Sequence, residues 1–254
     1  MRMKNEARLL PFFLASLSRQ NFFGCYEVIF LDSGSFDDSI EIVKKWGGNV
    51  KILSINATEF SFSKTCNYLV NQARSDLCLF FSAHVELLSS DFLNEVLLEF
   101  NAGNRIGFFR QVVNHNAGYS LYESIFLNKT FPKRKVNNQL CFSNAGSFSA
   151  KEILEEYPFP NVEASEDNAW AKLVLNKGFE ICYFPDLEIA HSHNESFEQI
   201  TRRVRINKLA RFGARKCYLK AFFKFIKIFL VLFLSSFDRV LAYRYALAHS
   251  KGYL

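Results

Sequence analysis

The sequence predicts an α/β protein with a mostly parallel, doubly wound sheet, and three observations carry that prediction. Short apolar runs recur between segments of helical periodicity. Several of the runs end in turns rich in Asp, Ser or Gly, and they are apolar throughout rather than alternating. A strand apolar on both faces is buried on both, as in a sheet covered by helices. Strands that alternate with helices of about ten residues are joined in parallel. At 254 residues, 49% of them apolar, the chain can bury one sizeable core.

Taken in order, residues 6–20 set Leu9, Leu10, Phe13, Leu14 and Leu17 at helical spacing. Val28 to Leu31 reads as a buried strand, closed by the turn in LDSGSFDDS. Ser39 to Trp46 reads as a helix whose acidic first turn suits its dipole. Val50 to Ile55 is a second strand, Ser63 to Ala73 a second helix, and Leu77 to Ser82 a third strand. Periodicity weakens from Ile106 to Cys141, which is predicted as strands plus a substrate-facing loop. Lys151 to Glu156 and Asp167 to Lys177 are helices; Ile181 to Phe184 and Leu187 to Ala190 are short strands leading into His-Ser-His. Without a repeat or a low-complexity linker, the expected division is a domain over 1–206 and a helical tail over 207–254.

The six cysteines include no CxxC pair, which argues against a disulfide framework or a cysteine zinc site and for a reducing cytoplasm. Met1 to Glu6 is too polar to open a signal peptide. The net charge of +6 is uneven, with Arg202, Arg203, Arg205 and Lys208 opening a basic segment that runs to Lys227. Its apolar residues form aliphatic and phenylalanine runs rather than stacking platforms, so nucleic acid is not an expected partner. The apolar stretch from Ile228 to Phe237 is shorter than the roughly 20 residues of a membrane span. Two readings fit it: a helix lying in the membrane interface, or one docked on its own domain or on a second subunit.

Four motifs could carry chemistry. In LDSGSFDD, Asp32 ends a strand at the sheet edge where ligands bind in parallel folds; an Asx turn with a helix cap is the plain alternative. His84 follows the strand of LCLFFS at the same edge. Glu166 and Asp167 open a helix, where one could deprotonate a hydroxyl or both could simply cap. His191 and His193 stand at i and i+2 after a strand, a spacing that suits a divalent metal.

The order of these motifs is more telling than any one of them. Asn5-Glu6, LDSGSFDDS, EFSFSKTCN, LCLFFSAHVEL, FSNAGSFSAKEI, PFPNVEASEDNAWA and PDLEIAHSH together resemble family 2 glycosyltransferases over about residues 2–206. They look closest to the rhamnosyltransferase-like members of bacterial surface polysaccharide synthesis. The resemblance implies a GT-A fold and inverting sugar transfer from a nucleoside diphosphate to a hydroxyl of a glycan or lipid-linked acceptor. It implies donor binding by Asn5, Glu6, Asp32, Ser33, Gly34, Ser35, Asp37, Lys64, Asn67, Ser82, Asn144, Ala145 and Gly146, with Arg202 and Arg203 on the diphosphate. Asp167 is the expected base, ahead of Glu166. His84, His191 and His193 would hold a divalent metal, Mn or Mg. The implied setting is the cytoplasm, peripheral on the inner face of the membrane.

Two departures stand out. The family's DxD position reads Ser82-Ala83-His84. The first strand also reads as truncated, since this chain opens on that strand's last residues, which points either to a start further upstream, the favoured reading, or to a damaged copy. These departures motivate an alternative, a non-catalytic module that partners another transferase. A metal-dependent hydrolase using the histidines is a third reading, but it leaves LDSGSFDD unexplained.

Overall fold

The computed structural model describes residues 1–136, 139–213, 215–236 and 238–254. Its first half alternates as the sequence predicts: β1 (Arg2–Met3), α1 (Leu10–Ser18), β2 (Val28–Asp32), α2 (Ser39–Trp46), β3 (Val50–Ser54), α3 (Phe62–Gln72) and β4 (Leu77–Phe81). All five residues of β2 are buried, the result of a run with no polar face. The second half holds β5 (Glu86–Leu87), α4 (Phe92–Asn101), β6 (Ile106–Val112), α5 (Leu121–Thr130), β7 (Gly146–Ala150), α6 (Lys151–Glu156), α7 (Glu166–Asn176) and β8 (Cys182–Ala190).

One sheet has the order β1-β2-β3, all parallel, and the other the order β4-β7-β6-β8-β5. A parallel bridge between Arg2 and Ser82 joins them. Because β4 and β6 both run antiparallel to β7, and β6 is parallel to β8, only β5 and β7 oppose the common direction. Aromatic side chains fill the layers beneath the helices: Phe13, Phe30, Phe92, Phe109 and Phe148 are essentially fully buried. β1 is two residues long, and below it an apolar cavity of about 500 Å³ separates β2 from β4, lined by Val28, Ile29, Leu77, Leu79, Phe81 and Phe13.

The structure corrects two expectations. The two short strands over 181–190 are one strand, β8, whose register against β6 shifts between Phe109 and Arg110. The stretch from Ile106 to Cys141 contains a helix, α5, capped by Ser120, whose hydroxyl accepts the Glu123 N–H; the expected loop at 137 and 138 lies outside the described residues. Residue 206, the expected domain boundary, lies within α8 (Phe197–Phe212).

The tail is a hairpin of α9 (Tyr218–Ser236) and α10 (Arg239–Lys251). Ile228 and Leu232 pack on Ala242 and Ala246, with Tyr122 and Ile125 of α5 against the same cluster, so one face of α9 is docked on the domain. Its other face leaves Leu219, Phe222, Phe223, Leu230 and Leu234 in solvent. Phe237, at the end of the apolar run, lies outside the described residues. Among the described residues no helix is long and apolar enough to cross a membrane.

Candidate active site

The chain steps outward from β1 to β2 to β3 and then returns to lay β4 beside β1. A crevice opens at such a reversal, at the carboxyl ends of the strands. Asp32, Ser82, His84 and His191 all lie at that edge, at or just past the ends of β2, β4 and β8.

Asp32 is 3% exposed, and its carboxylate closes the loop behind it. It accepts the Gly34 N–H at 3.0 Å and the Ser35 N–H at 3.0 Å, together with the Ser35 hydroxyl. Gly34 sits at φ +88, where a side chain would be strained. Asn5, also left-handed at φ 55, accepts the Phe36 N–H through Oδ1 and donates its own N–H to Ser35 Oγ. The Ser33 N–H donates to the Met3 carbonyl. Asp37 accepts from the Ala7 N–H and from Ser39; these bonds outweigh burial and hold its carboxyl below the usual range. Asp32 and Asp37 thus fasten the loop to β1 and α1 before any ligand is considered.

The three predicted histidines converge. Ring centroids of His84, His191 and His193 lie 4.8–5.0 Å apart, and one nitrogen from each falls within 4.8 Å of the others. His84 Nδ1 lies 3.3 Å from Glu6 Oε1, and His191 Nδ1 lies 3.0 Å from Gln111 Oε1. The Nε2 atoms of both rings are buried without a hydrogen-bond partner. Burial holds His191 well below its ordinary value, and burial with the facing His84 holds His193 at about 4. The His193 N–H donates to Glu123 Oε1 at 2.8 Å, and burial lifts that carboxyl to about 7.

The carboxylate pair divides its work. Glu166 is buried, receives Arg2 Nη1 at 2.9 Å and accepts the Asn144 amide at 3.3 Å. The Arg2 guanidinium also lies 4.8 Å over the Phe62 ring. Among the described residues, the Asp167 carboxylate accepts backbone N–H groups, of Asn168 at 2.7 Å and of Asn144. Burial, then the neighbouring Glu166 charge, raises its carboxyl to about 6. Ser165, directly before the pair, holds φ 59; it and Asn5 are the non-glycine residues with positive φ among those described. Strain of that kind gathers at functional sites.

The other predicted residues are placed unequally. Asn144 and Ala145 are buried beside Glu166, and Gly146 opens β7 where a Cβ would meet Ile189 Cδ1 at 2.0 Å. Asn67 spends both ends of its amide on the backbone of Phe159. Lys64 is exposed on α3. Arg203 is tied to Glu195 by a two-pronged ion pair, while Arg202 faces a cleft between α8 and α10 with Arg205, Arg244 and Lys251. The two arginines expected together on one diphosphate therefore point to different places. Sequence reasoning missed Arg2, Gln111 and Glu123. The serine three residues before Glu123 is a helix-start signal that could have revealed α5; nothing local marks the other two.

Comparison with known proteins gives the family and the fold. The family described as glycosyl transferase family 2 matches residues 1–157. The chain is 25% identical to the O-antigen chain rhamnosyltransferase WbaN of Salmonella anatum, over 70% of this chain and 60% of that protein. It therefore spans three-fifths of that relative's length. Among solved structures, residues 1–349 of S. aureus TarS in complex with UDP-GlcNAc align with a TM-score of 0.63 at 16% identity, covering 94% of this chain and 72% of that one. The mannosyltransferase PcManGT from Pyrobaculum calidifontis, in complex with GDP-Man and Mn2+, aligns with a TM-score of 0.63 at 14% identity, covering 99% and 67%. The shared fold is the GT-A fold.

Proposed function

Because the chain belongs to the glycosyl transferase family 2, we propose that it moves a sugar from a nucleoside-diphosphate donor to a hydroxyl of a glycan or lipid-linked acceptor, inverting the anomeric carbon, in cell-surface polysaccharide synthesis. The observation that carries the reading is the unequal carboxylate pair. Glu166 is spent on Arg2 and Asn144, whereas Asp167 takes backbone N–H groups and has no side-chain partner among the described residues, with a carboxyl near 6. A base with a pKa near the working pH combines the right protonation state with useful basicity.

In this mechanism Asp167 takes the proton of the acceptor hydroxyl as its oxygen attacks the anomeric carbon. The bond from that carbon to the diphosphate oxygen breaks on the opposite face, and the electron pair leaves with the nucleoside diphosphate. Arg2 and Asn144 hold Glu166, and with it the first turn of α7, so that Asp167 is presented to the cleft. The Asp32 loop offers its backbone to the nucleotide. The two orphaned, buried Nε2 atoms fit a divalent cation, which His84, His191 and His193 would hold. Such a cation would neutralise charge developing on the leaving diphosphate.

The outer face of α9 supports a peripheral membrane contact. Its exposed Leu219, Phe222, Phe223, Leu230 and Leu234 lie beside the exposed cations Lys216, Lys220 and Lys227, the combination that settles at an anionic interface. A cleft held at the cytoplasmic face of a membrane would meet a lipid-linked acceptor, and this reading is the one the α9 face supports.

The test is a thermal-shift titration of the purified chain with UDP, dTDP, GDP and CDP, followed by transfer assays with the matching sugar donors. One nucleotide should stabilise the fold by about 2.7 kcal/mol at 100 Kd, and the product should carry the inverted anomeric configuration. A cooperatively folded chain that binds no nucleotide would instead favour the non-catalytic module.

A further inference from the structure

We infer that the His84–His191–His193 cluster is a nitrogen-donor site selective for zinc-like or cobalt-like cations over magnesium, with Glu6 and Gln111 as its positioning residues. The inference rests on the proposed function only in taking this cleft as the donor site.

The polarity of two of the three rings carries it. A metal-binding imidazole donates its outer N–H to a carboxylate or amide oxygen and turns its other nitrogen to the ion. His84 and His191 are both arranged this way: Nδ1 faces Glu6 Oε1 at 3.3 Å and Gln111 Oε1 at 3.0 Å, while each Nε2 is buried with no protein partner. The outer shell is therefore already built. Asn114 adds to it by donating its amide to the His84 carbonyl at 3.0 Å, which holds the loop after β4. A plain stack of polar rings would not need two buried nitrogens without a protein partner, nor an oxygen held on the other nitrogen of those two rings.

The donor set decides the metal. Among the described residues, no carboxylate joins the three nitrogens in this cluster. Glu6 is on the Nδ1 side of His84, and Glu123 accepts the His193 backbone N–H. Magnesium prefers an octahedron of oxygens and gives up its water reluctantly. Imidazole suits zinc, copper, iron and nickel, and affinity for such sites rises from manganese through cobalt. Three imidazoles also leave a fourth position open for a ligand oxygen. Of the two ions expected from the sequence, this donor set favours manganese over magnesium, and it ranks manganese lowest among the transition ions.

The experiment uses the full chain, stripped with a chelator and dialysed. It is titrated with Co2+ while visible absorption is followed, and Zn2+, Mn2+ and Mg2+ are then added as competitors. The expected result is one Co2+ per chain with the intense visible bands of a four- or five-coordinate nitrogen site, displaced by stoichiometric Zn2+ and untouched by 100-fold excess Mg2+. Gln111→Ala and Glu6→Ala should each weaken Co2+ binding 10–100-fold, and Gln111→Glu should restore it. Circular dichroism melting of each variant separates lost metal from lost fold. Displacement of Co2+ by equimolar Mg2+, or equal Co2+ binding by the His84→Ala/His191→Ala double variant, would overturn the inference. Nucleotide binding in metal-free buffer would leave the transferase reading standing even then, so the two fail separately.

Discussion

The substitution Asp167→Asn should make the protein inactive and more stable at the same time. In the folded chain the Asp167 carboxyl sits near 6, against an ordinary 3.8, because it is buried and lies beside Glu166. As pH rises, the unfolded chain releases this proton near 4 and the folded chain only near 6, so stability falls across that window and stays low above it. Two units correspond to roughly 3 kcal/mol. Part of the side chain remains open to the cleft, which trims the expected gain to about 1–3 kcal/mol. The amide removes the buried charge without changing shape, so the variant should outlast the wild type at pH 7.5 by several degrees in melting temperature, and the two should converge near pH 4. Transfer should drop by 10²–10⁴, while nucleotide binding is kept. Wild-type kcat should rise about tenfold per pH unit below 6 and level off above it. Urea titrations at pH 4 and 7.5, run beside a transfer assay, read both effects. A variant less stable at pH 7.5, or one that transfers at the wild-type rate, would refute the reasoning; full loss in Glu166→Gln with activity kept in Asp167→Asn would move the base to Glu166.

Four further outcomes follow from the same contacts. Arg2→Ala leaves Glu166 buried without its cation, and should cost roughly 3 kcal/mol in urea unfolding along with most of kcat. Gly146→Ala drives a methyl group into Ile189 Cδ1 and should cost about 1–3 kcal/mol; adding Ile189→Val removes that carbon and should recover part of the loss in the double variant. Phe222→Glu with Phe223→Glu should abolish co-sedimentation with phosphatidylserine vesicles without changing transfer to a soluble acceptor, whereas unchanged sedimentation would dismiss the α9 face as the contact. Extending β1 backwards by five apolar residues should fill the cavity between β2 and β4. At about 1.5–3 kcal/mol per buried side chain, set against about 1–2 per ordered backbone residue, the gain in chemical denaturation should be a few kcal/mol.

The local rules of the chain determined the first half of the molecule by themselves. Val28 to Leu31 has no polar face and reads as an interior strand; Ser39 to Trp46 carries its acidic start, its basic end and a following glycine, and forms that helix. The glutamate and aspartate of α7, the two histidines after β8 and the Asp32 turn were legible because each is a short motif at the end of a strongly patterned element. The tertiary structure decided what those residues face, since contacts 80 or more residues apart leave no trace in spacing. His191 meets Gln111, and Arg2 singles out Glu166 from its neighbour across 164 residues. Folding also parted Arg202 from Arg203, because adjacent helical residues stand about 100° apart and only one can face α10. The helix α5 escaped sequence reading because it buries little of its own surface, Leu127 alone being fully enclosed, so no apolar stripe was required of it. Which face of α9 is covered was settled only when Tyr122 and Ile125 of that same helix came to rest against it.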